Sequence, residues 1–229
     1  AAPRDREIAA GPDLERYRRP TRFLHWVNAV AFGLLLLTGL AAYLSPQSTP
    51  GPSPWLRYLH QAAGVIFVIA PLGYAASNWP ATRRGIREAF TWGENDIKWL
   101  IAVPRYFYSR DEDVLPPQDH LNAAQKIWWF LVIVLGPELA VSGFIMWAAP
   151  ARANPLYQWS AVFHDIAFIL IASMFLLHIY LSVVNPLGNA VKNESWSAMT
   201  GGRVSAGYAR THHHRWFREI TRSRKEPAS

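Results

Sequence analysis

The sequence predicts an all-α membrane protein whose body is a bundle of four transmembrane helices. Three observations predict it. Hydrophobic residues make up 51% of the 229, yet they collect in four blocks, at about 24–44, 58–79, 127–149 and 159–184, instead of spreading as a soluble core would. Each block has the roughly 20 apolar residues that a helix needs to cross a bilayer. Basic residues lie almost wholly between the blocks, and aromatic residues gather at the block ends.

The basic residues set the topology. Arg4, Arg6, Arg16, Arg18, Arg19 and Arg22 precede the first block. Arg83, Arg84, Arg87, Lys98, Arg105, Arg110 and Lys126 fall between the second and third, and eight more follow the fourth. The two remaining connections hold only Arg57 and Arg152. The excess of Lys and Arg on cytoplasmic segments places both termini and the 80–126 loop in the cytoplasm. The short loops "SPQSTPGPSPW" and "PARANPLYQ" then face the other side. Tyr43, Trp55, Tyr58, Trp147, Tyr157 and Trp159 form the belt at that face, and Trp26, Trp79, Trp128 and Trp129 form the cytoplasmic one. A net charge of +7 would suggest nucleic acid in a soluble chain. Here it follows the topology, so membrane lipid is the expected partner and nucleic acid is not. With no cysteine, the chain holds no disulfide, iron–sulfur cluster, covalently attached haem or thiolate metal site.

The organisation predicted along the chain is a cytoplasmic tail at 1–22, a transmembrane domain at 23–185 and a basic cytoplasmic tail at 186–229. The first 20 residues are polar and are expected to be irregular. "YRRPTRFLHW" opens helix one, and "PQSTPGPSP" makes a turn-rich loop before helix two. In the middle loop, "TWGENDIKWLIAVPRYF" reads as an amphipathic segment lying on the membrane surface. Pro137 is expected to bend helix three. Beside it, Glu138 places a carboxyl mid-helix, which must be protonated or paired. His212, His213 and His214 read as a native surface stretch. No internal repeat of fixed period is found.

Four other histidines, His25, His60, His164 and His178, stand at membrane-helix positions. Ionisable groups inside a bilayer are unfavourable and therefore point to function. A single one can also be a neutral ring bonded to a neighbouring helix, but these four form a pattern. By the predicted topology, His25 and His178 share the cytoplasmic depth, and His60 and His164 share the opposite one. Each depth draws one histidine from each of two helices. In "FHDIAFILIASMFLLHIY", fourteen residues separate His164 from His178, a rise of about 21 Å with a net rotation about 40° short of whole turns. Both rings therefore face one way, too far apart for a single ion. A zinc or copper site would want histidines three or four apart. Two planar cofactors stacked along the membrane normal fit, and haem with an axial histidine on each face is the obvious one. Gly39, Gly64 and Gly73 fall near these levels and leave room for a porphyrin, although glycine also serves plain helix packing. The predicted fold class is thus an all-α four-transmembrane-helix bundle with two b-type haems stacked across the bilayer.

The motifs add a resemblance. "RFLHW", "YLHQAAG", "LNAAQK", the helix-four histidine pair and "GGRVSAGYARTHHHRWFREI" resemble the cytochrome b (gamma) subunit of membrane-bound respiratory formate dehydrogenase over about 17–225. The four-histidine pattern alone is shared with the cytochromes b of NiFe hydrogenases. The resemblance implies that His60 and His164 ligate the haem at the periplasmic side, and His25 and His178 the one at the cytoplasmic side. It implies two haem b, an iron–sulfur (beta) subunit as electron donor, and a molybdenum or tungsten catalytic (alpha) subunit that oxidises formate. It also implies a quinone (menaquinone or ubiquinone) reduced near His178, Asn122, Ala124 and Gln125, and a place in the bacterial inner membrane. The usual "NAGQK" has become "NAAQK" at Ala124, which alters the quinone's surroundings. Alternatives are the cytochrome b of a NiFe hydrogenase and a haem-free anchor with structural histidines. The chain alone cannot oxidise formate. Its basic tail is where lipid or further copies of the complex would make contact.

Overall fold

The computed structural model describes residues 12–45, 53–109, 114–149, 152–184 and 194–223. Four long apolar helices carry the chain: α1 (Arg19–Leu44), α2 (Pro54–Ser77), α5 (Ala123–Ala148) and α6 (Pro155–Ile179, continued as a π-helical turn at Tyr180–Val184). Between α2 and α5 lie α3 (Trp79–Phe90) and α4 (Glu94–Ser109). After α6 come α7 (Glu194–Thr200), α8 (Ala206–His212) and α9 (His214–Ser223). A strand β1 (Asp13–Glu15) pairs antiparallel with β2 (Arg203–Ser205), Leu14 opposite Val204.

The long helices are long and apolar enough to cross a membrane, the shortest having 24 residues, or about 36 Å at 1.5 Å per residue. Their surfaces support the same reading. Leu37, Ile69, Leu72, Phe144 and Leu176 are each more than 60% exposed, which a water-soluble bundle would bury. Trp55, Tyr58, Trp147 and Trp159 are exposed near the helix ends, as membrane-interface aromatics are.

Local chemistry sets the boundaries. Pro54 and Pro155 stand in the first turns of α2 and α6, where a missing N–H is harmless. Asn154 Oδ1 accepts the Leu156 N–H and caps α6. Asn78 closes α2 by donating its N–H to the Tyr74 carbonyl, and its own carbonyl takes the Thr82 N–H as α3 begins. The 80–126 stretch is thus two helices and a connection, with α4 covering most of the predicted surface segment. The α5 helix runs unbroken through Pro137.

The chain forms two compact units. One comprises Ala1–Arg18, Arg84–Val132 and Met174–Ser229; the other, Arg19–Arg83 and Ile133–Ser173. In the first, Leu14, Ala198, Val204, Tyr208, Ala209 and Trp216 form a buried core with Tyr17, Phe217 and Ile220 against it. Of the segment before α1, expected to be irregular, residues 12–18 are instead built into this core through β1, and residues 1–11 lie outside the described ones. Two short three-residue strands with only Leu14 and Val204 apolar at the pairing centre leave no alternation to read. Gly202, at φ 81, supplies the left-handed turn before β2, and its carbonyl accepts the N–H groups of Arg16 and Tyr17. Arg16 is buried. Its guanidinium lies 5.5 Å from the Tyr17 ring centre and 5.4 Å from that of Trp216, and Nη2 donates to the His120 carbonyl at 2.8 Å. Lys126 and Asp96 form a buried ion pair at 2.9 Å, and Lys126 Nζ also donates to the Thr91 carbonyl. Asp96 Oδ2 in turn accepts the Gly93 N–H at the start of α4.

Of the triple histidine, His213 is fully buried rather than on the surface. Its Nδ1 donates to the Asp119 carbonyl at 2.8 Å, while its Nε2 has no hydrogen-bond partner among the described residues. Burial, reinforced by the Arg16 charge, holds this imidazole well below its usual range near 6.5.

Removing one member of the buried pair leaves an uncompensated charge. Lys126→Met is therefore expected to destabilise the unit by about 3–5 kcal/mol, and Lys126→Met with Asp96→Leu to recover much of the loss, read by thermal unfolding in detergent. The His213 shift has a definite sign. Below about pH 6.5 the unfolded chain binds a proton that the folded chain refuses, so stability falls with falling pH by up to about 1.4 kcal/mol per unit. Hydrogen-exchange protection factors of residues 203–223, taken relative to the intrinsic exchange rate at each pH, should fall between pH 7.5 and 5.5, and His213→Gln should flatten that dependence.

Candidate functional site

The second unit brings two of the four predicted histidines together. His60, on α2, and His164, on α6, have ring centres 6.4 Å apart, with planes at 59°. Each is held from the preceding helix. Thr38 Oγ1 lies 2.8 Å from His60 Nδ1, and Ser142 Oγ lies 2.9 Å from His164 Nδ1. Next to each hydroxyl stands a glycine. A Cβ at Gly39 would meet His60 Cε1 at 3.5 Å, and one at Gly143 would meet His164 Cε1 at 3.4 Å. Among the described residues no group of three or more His, Cys, Asp or Glu could hold a bare metal ion. The two histidines therefore have no third such residue beside them among the described residues.

The other two histidines fall in different units and are described within each. In the second unit, His25 stands edge-on to Trp26 at 5.1 Å, and its buried Nδ1 has no hydrogen-bond partner among the described residues. In the first, His178 stacks on Trp128, with ring centres 4.8 Å apart and planes at 8°. Glu138 projects from α5 with Oε2 buried and without a hydrogen-bond partner among the described residues.

Asn122 and Gln125 bond to each other's backbone. Asn122 Oδ1 accepts the Gln125 N–H at 2.9 Å, and Gln125 Oε1 accepts the Asn122 N–H at 3.0 Å, a reciprocal cap on α5. Arg16 Nη2 reaches the same Gln125 oxygen at 3.5 Å. Both carboxamide oxygens are thus engaged, which leaves the two NH₂ groups as the donors a ligand could use. Ala124 lies half-buried between them.

Residues 16–202 match the family described as prokaryotic cytochrome b561. The chain belongs to that family. This cytochrome is 27% identical to the formate dehydrogenase cytochrome b556(fdo) subunit of Escherichia coli strain K12, covering 93% of this chain and 96% of that one. It is 25% identical to the formate dehydrogenase cytochrome b556 subunit of Haemophilus influenzae, over 96% and 89%. To a chain of Cupriavidus necator named "Probable Ni/Fe-hydrogenase B-type cytochrome subunit" it is 33% identical, over 77% and 82%.

A cytochrome b holds haem without covalent attachment, and the His60–His164 pair fits one. A metal–imidazole bond is about 2 Å and the ligating nitrogen lies roughly 1.1 Å from its ring centre, so two imidazoles on opposite faces of one metal have centres about 6.2 Å apart. The observed 6.4 Å agrees. With each Nδ1 engaged by a hydroxyl, Nε2 is the nitrogen left for a metal. His25 Nδ1 is likewise buried with no hydrogen-bond partner among the described residues.

Sequence reading identified the histidines and missed their partners Thr38, Ser142 and Gly143, and the Trp128 stack. A signal was there. "TG" at 38–39 precedes His60, and "SG" at 142–143 precedes His164, with the hydroxyl 22 residues before the histidine both times. Thr38 lies six residues before the end of α1 and His60 six after the start of α2; Ser142 lies six before the end of α5 and His164 nine after the start of α6, so each pair faces across its hairpin. The chain thus holds a repeated module where no fixed-period repeat was found.

The narrow clearance at Gly143 gives a graded expectation. Gly143→Ala places its methyl at ordinary contact distance and should keep haem. Gly143→Leu should displace the His164 ring and lower the haem content, read as haem per mole of purified protein.

Proposed function

We propose that this chain is the dihaem cytochrome b subunit of a membrane-bound formate dehydrogenase, which anchors the complex and passes electrons to a quinone. The observation that carries the reading is the His60–His164 pair: two imidazoles at axial-ligand spacing inside apolar helices. Relatives named as formate dehydrogenase cytochrome b556 subunits, matching over nine-tenths of this chain, support the assignment to that complex.

His60 and His164 hold one haem and, by their shared depth in the sequence, His25 and His178 hold a second. Haem with both axial positions filled by histidine supplies one-electron carriage and leaves no open site for oxygen or substrate. The positive-inside pattern places the His60–His164 level on the periplasmic side. An iron–sulfur subunit delivers electrons there from a molybdenum or tungsten subunit that oxidises formate. On the cytoplasmic side, the NH₂ groups of Asn122 and Gln125 can donate to a quinone carbonyl near His178. The termini lie in the cytoplasm and the chain in the bacterial inner membrane.

A hydrogenase partner is the second reading, favoured by the 33% identity to the Cupriavidus necator chain. In membranes carrying the assembled complex, formate should reduce the b-type haem and hydrogen should not. Reduction by hydrogen alone would transfer the assignment to a hydrogenase. His60→Ala should remove one haem and leave the other. Retention of both would overturn the ligand assignment. Gln125→Leu should slow quinone reduction at least tenfold while formate still reduces the haem.

A further inference from the structure

The proton inventory around His60 and His164 fixes which nitrogen each ring offers. Thr38 Oγ1 is 2.6 Å from the Leu34 carbonyl, and Ser142 Oγ is 2.8 Å from the Glu138 carbonyl. A carbonyl only accepts, so each hydroxyl gives its single hydrogen to the backbone four residues earlier. The same oxygen then has only lone pairs to offer the imidazole beside it. Nδ1 must carry the proton and donate, at 2.8 Å in one case and 2.9 Å in the other. Both rings are therefore the Nδ1–H tautomer, with the Nε2 lone pair free.

The arrangement occurs twice, on separate hairpins. Each has hydroxyl and glycine adjacent in sequence, a histidine 22 residues after the hydroxyl, and a glycine whose missing side chain leaves space at histidine Cε1. The hydroxyl fixes the rotation of the ring from one edge, and the glycine lets that edge approach the helix. Two independent copies of one geometry, converging on rings 6.4 Å apart, are not expected from helix packing alone.

We propose that Thr38 and Ser142 are positioning residues: each locks its histidine in the tautomer that presents Nε2 to haem iron, and each tunes that iron. The proposal rests on the haem reading above. Donation from Nδ1 to a hydroxyl oxygen places extra electron density on the ring, which makes Nε2 a stronger ligand and favours the ferric state. Because each hydroxyl is itself polarised by its bond to a carbonyl, its oxygen is a better acceptor than a free alcohol would be. The effect on the iron is a lowered midpoint potential and tighter axial ligation.

The test uses the full chain in its membrane complex, with Thr38→Val, Ser142→Ala and the conservative Thr38→Ser. Haem retention, redox-titrated midpoint and low-spin ferric electron paramagnetic resonance are recorded for the haem that His60→Ala removes. Thr38→Val and Ser142→Ala should each raise that midpoint, shift the g-values and weaken haem retention by about 10–100-fold. Thr38→Ser should restore the wild-type values, which a purely packing role for the methyl would not allow. Should Thr38→Val fail to assemble, Ser142→Ala on the other hairpin carries the same test. Haem-loaded variants with unchanged midpoint and g-values would overturn the hydroxyl assignment alone. A wild-type chain that binds no haem would overturn the functional reading as well.

Discussion

A neutral imidazole buried among apolar helices has one nitrogen that must donate and one that must accept, and the His60–His164 region is built around meeting both demands. Water is absent from the hydrocarbon region, so an unmet polar group there is unfavourable by several kcal/mol. Thr38 and Ser142 satisfy the donors. The hydroxyls are affordable because each also bonds to its own helix backbone, leaving no polar atom open to lipid. What remains is the second nitrogen of each ring, and on the proposed reading that is the atom each would offer to a haem iron.

The first unit meets the same demand by different means. Its charges are sequestered in pairs and beneath rings: Lys126 against Asp96, and Arg16 by Tyr17 and Trp216. Arg16 also links three separate stretches of chain, because it touches the His120 carbonyl, the Gln125 amide and the α9 residue Trp216. The buried His213 joins two of these stretches through the Asp119 carbonyl. The described residues of the first unit that these side chains join are consequently packed together, and the amide groups of Asn122 and Gln125 are held there.

The long helices were legible because their signal is length and composition, and the lipid environment enforces both. The histidines were legible because an ionisable residue in such a block stands out against its neighbours. The hydroxyls were not: Thr38 and Ser142 are ordinary in membrane helices, and only their distance from His60 and His164 across a hairpin marks them. The β1–β2 pairing joins Leu14 to Val204, 190 positions further along the chain, and no local pattern encodes such a contact. His213 was read as exposed because three consecutive histidines look like a solvated run, whereas α8 and α9 meet at that residue and bury it. Asn122 and Gln125 were recognised as polar residues at a helix start, and the reciprocal cap they form is what that position most commonly selects.

Haem stoichiometry tests the central claim most directly. The purified complex should yield two b-type haems per copy of this chain by pyridine haemochrome absorbance, with a reduced-minus-oxidised spectrum of six-coordinate, low-spin haem. A folded complex, expressed with ample haem, that contains none would contradict the account and return the histidines to a structural role.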